Sequence, residues 1–234
     1  MNQLRFEAEI AFADTALADV VRERVYDGVH VSVDWPADLA APTVRVAVEV
    51  RGDLEPRDAP AYVELFFHDL FLLLNLASPG SFGGTISFRG GELRVRELTF
   101  SPRVFAYAAP LATLPLADVV GWYDALKVGT QQVATSGVTT ALFRLLQLAR
   151  GEENDELSVL ALASAAEALF GRTDSLRRLF ELRDEIARGR TPVFHPMHDD
   201  ALDPRVEDAT REWIEVADEA AGLVICNLQG RIRR

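Results

Sequence analysis

Six arginines lie within nineteen residues in the second half of the chain, in a stretch with helical periodicity. They face four acidic residues, so this stretch is locally basic in a chain of net charge −12. The six are Arg172, Arg177, Arg178, Arg183, Arg188 and Arg190. Guanidinium groups fork onto phosphate oxygens, which makes Arg178 and Arg188 candidate phosphate-binding residues. The alternative is a solvated helix face whose charges are paired along the helix.

Arg183 differs from the other five because it falls inside the apolar stripe of its predicted helix. The stripe has the i, i+3, i+4 spacing of a face that packs on a core, and consists of Leu176, Leu179, Phe180, Ile186 and Ala187. A desolvated guanidinium needs a partner because it keeps its charge. Glu167 lies in the apolar run of the preceding predicted helix, so we predict a buried Glu167–Arg183 pair. Extension of Arg183 to solvent, with only its stem buried, is the alternative.

A second group of reactive side chains occurs in the sequence HPMHDD, further along the chain. His195, His198 and Asp199 are of the types that bind Zn²⁺ or a similar ion. Pro192 and Pro196 bar a regular helix there, so the segment is predicted to be a loop. No further histidine or cysteine lies nearby to complete a tetrahedral site. We therefore predict a polar surface loop and no metal or other cofactor, with a metal site at these three residues as the alternative.

The first half of the chain, residues 1–112, is predicted to be a small α+β module. Segments in which apolar and polar residues alternate predict strands. The predicted strands are Leu4–Phe12, Val29–Trp35, Thr43–Val50, a hairpin of Thr85–Arg89 and Glu92–Phe100 around Gly90-Gly91, and Val104–Ala109. Helices are predicted at Ala16–Tyr26 and Pro60–Ala77, the second of them buried.

The second half, residues 113–234, has helical periodicity and is predicted to be a helical bundle. The predicted helices are Leu116–Val128, Val138–Arg150, two helices within Leu157–Gly189 that break at Gly171, and Pro204–Val224. Thr191–Asp203 is predicted to be the loop between the last two. The whole chain is therefore predicted to be an α+β protein, with a small mixed or antiparallel sheet followed by a helical bundle.

Two pieces of the second half resemble the HEPN superfamily (higher eukaryotes and prokaryotes nucleotide-binding), in particular its Apea-like branch. ALASAAEALFG is similar to the family's helix that carries a glutamate before a Leu-Phe pair. LFELRDEIARG is similar to the family's helix that ends in arginine, a polar residue, an apolar residue and His-Gly. The resemblance implies a homodimer formed through the C-terminal helices, and metal-independent RNA binding or cleavage in defence or stress.

Active members of this family cleave RNA with an arginine and a histidine that four to six residues separate. The resemblance places Arg183 at the arginine position and Asp184 at the polar position, but Arg188 stands where histidine is expected. A guanidinium cannot act as a base at neutral pH, so Arg183 and Arg188 form a deficient pair. His195 follows Arg190 at the family's spacing and could replace the missing histidine. The candidate catalytic residues are thus Arg183, Arg188, Arg190 and His195, and we expect a degenerate, non-catalytic domain.

Composition and charge exclude several other classes of protein. The 234 residues are 49% hydrophobic, as in a globular protein, and the acidic charge is spread over both halves. No basic half is available to bind a nucleic-acid duplex without sequence preference. Cys226 is the one cysteine and lies in an apolar stretch, so we expect an inert buried thiol and no intramolecular disulfide.

The most hydrophobic run, Leu70–Leu74, is far too short to span a membrane. The N-terminal segment lacks the apolar core of a signal peptide, so a cytoplasmic location is expected. The competing function class, which needs no nucleic acid, is a protein-interaction or ligand-binding module.

Overall fold

The computed structural model describes residues 2–12, 20–37, 39, 41–90, 95–101, 105, 113–128, 133–150, 155–190 and 204–234. The strands are β1 Asn2–Phe12, β2 Glu23–Tyr26, β3 Val29–Asp34, β4 Thr43–Gly52, β5 Gly84–Arg89 and β6 Arg96–Phe100. The helices are α1 Ala59–Ala77, α2 Leu116–Leu126, α3 Gly137–Arg150, α4 Asp155–Phe170, α5 Arg177–Ala187 and α6 Pro204–Ile232. The predicted α+β class is confirmed.

The six strands form one sheet in the order β2-β3-β4-β1-β5-β6, in which every neighbouring pair is antiparallel. Apolar residues alternate with polar ones along each strand, so one face is apolar and the other is charged. Val31, Val48 and Val50 lie on the inner face and are fully buried. Arg5 and Glu7 of β1 lie on the outer face and are exposed.

Helix α1 packs on the inner face of the sheet and forms the centre of the core. Its phenylalanines are buried, and the ring of Phe71 stacks on that of Phe100 in β6 with centroids 4.9 Å apart. By length and composition α1 could cross a membrane. It is mostly buried in the protein, however, as the core helix of a soluble protein is.

The carbonyl groups at the end of α1 receive hydrogen bonds from distant parts of the chain. The last four carbonyls of a helix have no partner within it. The Leu76 carbonyl accepts a bond of 2.9 Å from the side-chain amide of Gln229, and the Ala77 carbonyl accepts one of 2.7 Å from the amide of Leu114. Described residues from both predicted halves of the chain, such as Phe105 and Leu114, belong to one core cluster. The proposed domain boundary between residues 112 and 113 stays a prediction.

The C-terminal helices are arranged around α4. The start of α3 lies against the end of α4, so these two helices run antiparallel: a Cβ built on Gly137 would lie 2.0 Å from the carbonyl oxygen of Ala168. Helix α4 also contacts α5 and α6. Its buried residues are mostly small, including Ala163 and Ala166, and small side chains let helices approach closely.

Most of the predicted elements are present, but the helix predicted at Ala16–Tyr26 is wrong where the structure describes it. Glu23–Tyr26 is strand β2, with Arg24 and Tyr26 facing inward. Asp27 and Gly28 have φ of 49° and 85° and form the two-residue turn into β3. Val104–Ala109, except Phe105, and the Thr191–Asp203 loop lie outside the described residues.

Two further corrections concern the last helix. It ends at Ile232 rather than at Val224. Cys226 is exposed rather than buried. The helical period explains this placement, because Val224, Ile225 and Leu228 take the inward positions and leave residue 226 on the outer face.

Candidate functional site

Glu167 of α4 and Arg183 of α5 are in contact where the two helices pack. Nη1 of Arg183 donates a hydrogen bond of 2.6 Å to Oε2 of Glu167, and Nε and Nη2 donate to Oδ1 of Asp184 at 3.1 and 2.8 Å. The side chain of Arg183 is 17% exposed and that of Glu167 is 39% exposed. The predicted pairing is therefore present, but it lies at a partly exposed surface and is not buried.

A second arginine shares the same glutamate. Helix α4 ends at Phe170, and Gly171 continues the chain with a φ of +69° and donates its amide to the Glu167 carbonyl. This turn brings Arg172 back to Glu167, so that Nε of Arg172 donates to Oε1 at 2.7 Å. The guanidinium carbons of Arg172 and Arg183 lie 5.8 and 5.4 Å from the ring centre of Phe180. The aromatic ring thus holds both guanidinium groups near one carboxylate.

Arg172, Arg183 and Arg188, together with Glu167 and Asp184, form what we call the arginine patch. The three arginines hold the pKa of the Asp184 carboxyl below its usual value, chiefly through the hydrogen bond from Arg183. The hydrogen bonds from Arg172 and Arg183 lower the pKa of Glu167 likewise. Three arginines facing two ionised carboxylates leave the patch with one net positive charge.

The two other candidate site arginines, Arg178 and Arg190, differ from one another. Arg190 is exposed and, like Arg188, makes no side-chain ion pair with the described residues. Arg178 is neutralised by three carboxylates: Nε donates to Glu212 of α6 at 2.6 Å, and Nη1 lies 3.4 Å from Glu185 and 3.5 Å from Glu181. The hydrogen bond to Glu212 raises the pKa of Arg178. Arg178 thus ties α5 to α6 and is less available to a phosphate than Arg188.

Three predicted side chains, His195, His198 and Asp199, lie outside the described residues. The pairing of His195 with an arginine and the alternative metal site both stay predictions. Within the described ranges, no three side chains of histidine, cysteine, aspartate or glutamate come together in a way that could hold a metal ion.

The arginine patch can bind an anion, but its five residues include no group that transfers a proton near neutral pH. Both carboxyl groups have lowered pKa values, and guanidinium groups keep their protons. The two histidines that the structure describes lie in the first half of the chain. His30 is on β3, 3.3 Å from Glu23, and the ring of His68 in α1 packs edge-on against Phe100. Burial lowers the pKa of His68 to about 4.

A buried polar cluster that was not predicted surrounds Asp69 of α1. The Asp69 carboxylate accepts hydrogen bonds from the hydroxyls of Tyr26 at 2.9 Å and Tyr123 at 2.6 Å. Nε of Arg24 lies 3.3 Å from the same carboxylate, and Nη1 of Arg24 lies 2.6 Å from Asp124 of α2. Burial raises the pKa values of Asp69 and of both tyrosines.

A cavity of about 490 Å³ opens beside this cluster, between β2 and α2. Val25, Val120 and Val128 form part of its wall, and Arg24 lies among its lining residues. The guanidinium of Arg24 already faces two carboxylates and lies over the rings of Tyr26 and Tyr123 at 6.0 and 5.4 Å. The cluster therefore serves to join β2, α1 and α2, and its cation is already neutralised.

One sequence signal could have located this cluster. Asp69 follows His68 in the middle of an apolar helix. A carboxylate in such a position needs hydrogen-bond donors from other elements. The donors come from β2 and α2, and no spacing within the sequence connects those elements with α1.

A groove of about 630 Å³ runs over the outer face of the sheet. Its lining includes two ion pairs between neighbouring strands, Arg45–Glu9 and Arg89–Glu7, with N–O distances of 2.8 and 3.1 Å. Arg5 also lines it. The three arginines and two glutamates of this lining give the groove one net positive charge, as in the arginine patch, and two of the three arginines are paired across strands.

No family model, curated protein or solved structure matches the chain.

Proposed function

We propose that the chain is a degenerate HEPN-like protein that binds RNA phosphates at the arginine patch without cleaving the RNA. The observation that supports this proposal is the convergence of Arg172 and Arg183 on the carboxylate of Glu167, with the charge of Arg188 also lowering the pKa of Asp184. The protein as a whole carries a net charge of −12, so a local excess of positive charge needs a reason. A phosphate that approaches the patch would meet guanidinium groups already fixed by Phe180 and by their carboxylate partners.

The absence of cleavage follows from the chemistry of the side chains. Attack by a ribose 2′-hydroxyl needs a base whose pKa lies near the working pH. Arg188 takes the position at which the family has histidine, and a guanidinium cannot act as this base. The groups that contact Arg183 among the described residues are carboxylates with lowered pKa values and the Phe180 ring. Arg183 can bind a phosphate in this setting, but nothing beside it in the described chain moves a proton.

Two further parts of the proposal follow from the family resemblance. Two copies would associate through their C-terminal helices, which would bring two arginine patches together and give a longer binding surface. The protein would act in the cytoplasm, in a defence or stress response. Analytical ultracentrifugation would test the dimer, since a monomer at all concentrations contradicts it.

The test is RNA binding measured by fluorescence anisotropy in EDTA, with cleavage followed on a denaturing gel. We expect binding without cleavage, and weakening by Arg188→Gln and Arg172→Gln. Loss of one phosphate contact should reduce the slope of log K against log salt concentration by about 1. Arg45→Gln on the sheet removes the same charge and should leave the slope unchanged. Absence of binding at low salt would refute the function, and metal-free cleavage would refute its non-catalytic part.

The competing function is a protein-interaction module, and the groove on the outer face of the sheet favours it. That face is charged, and 630 Å³ of open space lies above it. Binding of RNA that is weakened equally by Arg45→Gln and Arg188→Gln would indicate that net charge alone attracts the RNA. A failure of all RNA to bind would leave the groove as the better candidate site.

A further inference from the structure

Two guanidinium groups in the arginine patch converge on one carboxylate. Oε1 of Glu167 accepts from Arg172 and Oε2 accepts from Arg183, at 2.7 and 2.6 Å, so each oxygen serves one arginine. Both guanidinium groups lie over the ring of Phe180. The glutamate therefore stands where the oxygens of a bound anion would otherwise lie, and an anionic ligand must compete with it.

The charge of the competing anion decides which ligand class succeeds. An internal phosphodiester of RNA carries one negative charge, as Glu167 does, so replacing Glu167 by this group gains little electrostatic binding energy. A terminal phosphate monoester carries between 1.5 and 2 negative charges at about pH 7. It also offers three oxygens instead of two, which is enough to engage both Arg172 and Arg183.

The exposure of the residues permits this exchange. Arg172 is 58% exposed and Glu167 is 39% exposed, so a ligand can reach both, and Glu167 can rotate into solvent without leaving a buried charge behind. Arg183 is less exposed and has Asp184 as a second partner. Arg183 would therefore keep its position while the glutamate leaves.

We propose that the arginine patch selects the phosphorylated end of an RNA chain over its internal phosphodiesters, with Glu167 as the group that the terminal phosphate displaces. This inference rests on the proposed function, because it names the part of the RNA that is bound. It assigns two roles: Arg172 and Arg183 bind the terminal phosphate, and Glu167 discriminates against singly charged phosphates.

The test uses one labelled oligoribonucleotide in three forms: with a 5′-phosphate, with a 3′-phosphate, and with hydroxyl groups at both ends. Binding to the wild-type protein is measured by anisotropy in EDTA. We expect at least one phosphorylated form to bind about tenfold more tightly than the hydroxyl form, since Arg172 and Arg183 attract the second negative charge of the terminal phosphate. The two phosphorylated forms show which end is recognised.

Arg172→Gln and Arg177→Gln form a matched pair of variants. The two arginines have similar exposure, 58% and 67%, and each makes one ion pair, but Arg177 pairs with Asp174 outside the patch. We expect Arg172→Gln to bring the ratio of affinities close to one and Arg177→Gln to preserve it. Because the ratio compares two ligands on one protein, partial unfolding of a variant lowers both affinities equally and does not change their ratio. Retention of the ratio in Arg172→Gln, or its equal loss in both variants, overturns the inference.

Glu167→Gln tests the discriminating role. It removes the competing charge, so hydroxyl-ended RNA should bind about two- to fivefold more tightly than it binds the wild type. Glu212→Gln, which removes a carboxylate of similar exposure from Arg178, should change this affinity little. Equal gains in both variants would show a general effect of charge and would count against the role of Glu167.

The outcomes separate this inference from the proposed function. If all three RNA forms bind the wild type equally, the function stands and the inference is overturned. If none binds, the function and the inference fail together, because the inference names the part of the RNA that is bound. Binding without a difference between the three forms therefore marks failure of the inference alone.

Discussion

Nε of Arg24 lies 3.3 Å from Oδ2 of Asp69, inside the core and on different elements of the fold. Arg24 is 8% exposed and Asp69 is 2% exposed. The other end of the guanidinium reaches Asp124 on α2 at 2.6 Å. One side chain on a short edge strand therefore links the sheet, the central helix and the first helix of the C-terminal half.

Asp69→Asn should strongly destabilise the protein, because it leaves the buried charge of Arg24 without its buried partner. Removal of one member of a buried ion pair costs about 3–5 kcal/mol in the free energy of unfolding. Asp124→Asn removes the other partner of the same arginine at a site that is 55% exposed, and should cost less than about 1 kcal/mol. Urea unfolding of the two variants measures both values. Similar losses would show that the buried carboxylate has no special role.

The stability of the protein should fall in mild acid because of His68. Burial and the nearby charge of Arg150 lower its pKa to about 4 in the folded state, below its ordinary value of 6.5. Between these values the unfolded chain binds a proton that the folded chain does not, so stability is lost as the pH falls from 6.5 towards 4. By pH 4 this loss approaches about 3 kcal/mol.

His68→Phe isolates this contribution, because phenylalanine can keep the edge-on contact with Phe100 and cannot bind a proton. Urea unfolding of wild type and variant at several pH values gives the difference in the free energy of unfolding. We expect the difference to shift in favour of the variant as the pH falls through this window. A difference that stays constant from pH 7 to pH 4 would contradict the lowered pKa.

Two glycine substitutions should have opposite effects on stability. A Cβ at residue 137 would lie 2.0 Å from the Ala168 carbonyl oxygen, so Gly137→Ala must push α3 and α4 apart, at a cost of about 1–3 kcal/mol. Gly121 lies inside α2, and a Cβ there meets no atom within 4 Å. Gly121→Ala should stabilise the protein by about 0.5–1 kcal/mol through helix propensity. Thermal unfolding of the two variants checks both signs.

The Glu167–Arg183 contact should contribute little to stability, in spite of its short distance. A double-mutant cycle with Glu167→Gln and Arg183→Gln should give a coupling energy of about 1 kcal/mol or less, because both side chains reach solvent. The value is obtained from chemical unfolding of the four proteins. A coupling of several kcal/mol would mean that the pair behaves as a buried one and that its role is structural.

The sequence was sufficient to predict the elements whose pattern is local. Alternating residues located β1, β3 and β4, and the apolar run with Pro60 near its start located α1. Strand β2 was predicted as part of a helix, because a four-residue strand contains too few residues to show the alternation of a strand. Its identity depends on pairing with β3 and on the Asp27-Gly28 turn, where an aspartate adopts positive φ.

The candidate site could be predicted only in part, for a similar reason. The pairing of Glu167 with Arg183 could be predicted, because each is a charged residue within the apolar stripe of its own helix. The contribution of Arg172 could not be predicted, because it depends on the direction in which the chain leaves Gly171. The extent of burial was overestimated, because Leu182, and not Ile186 or Ala187, completes the inward face of α5.

The hydrogen bond from Gln229 to the Leu76 carbonyl has a consequence for the order of events during biosynthesis. The two residues are 153 positions apart. At about 5–20 residues per second, a ribosome needs roughly 8 to 30 s to add that length of chain. For this interval the carbonyl group of Leu76 lacks its native partner, and the contacts between the central helix and the last helix form only after the last helix has been synthesised.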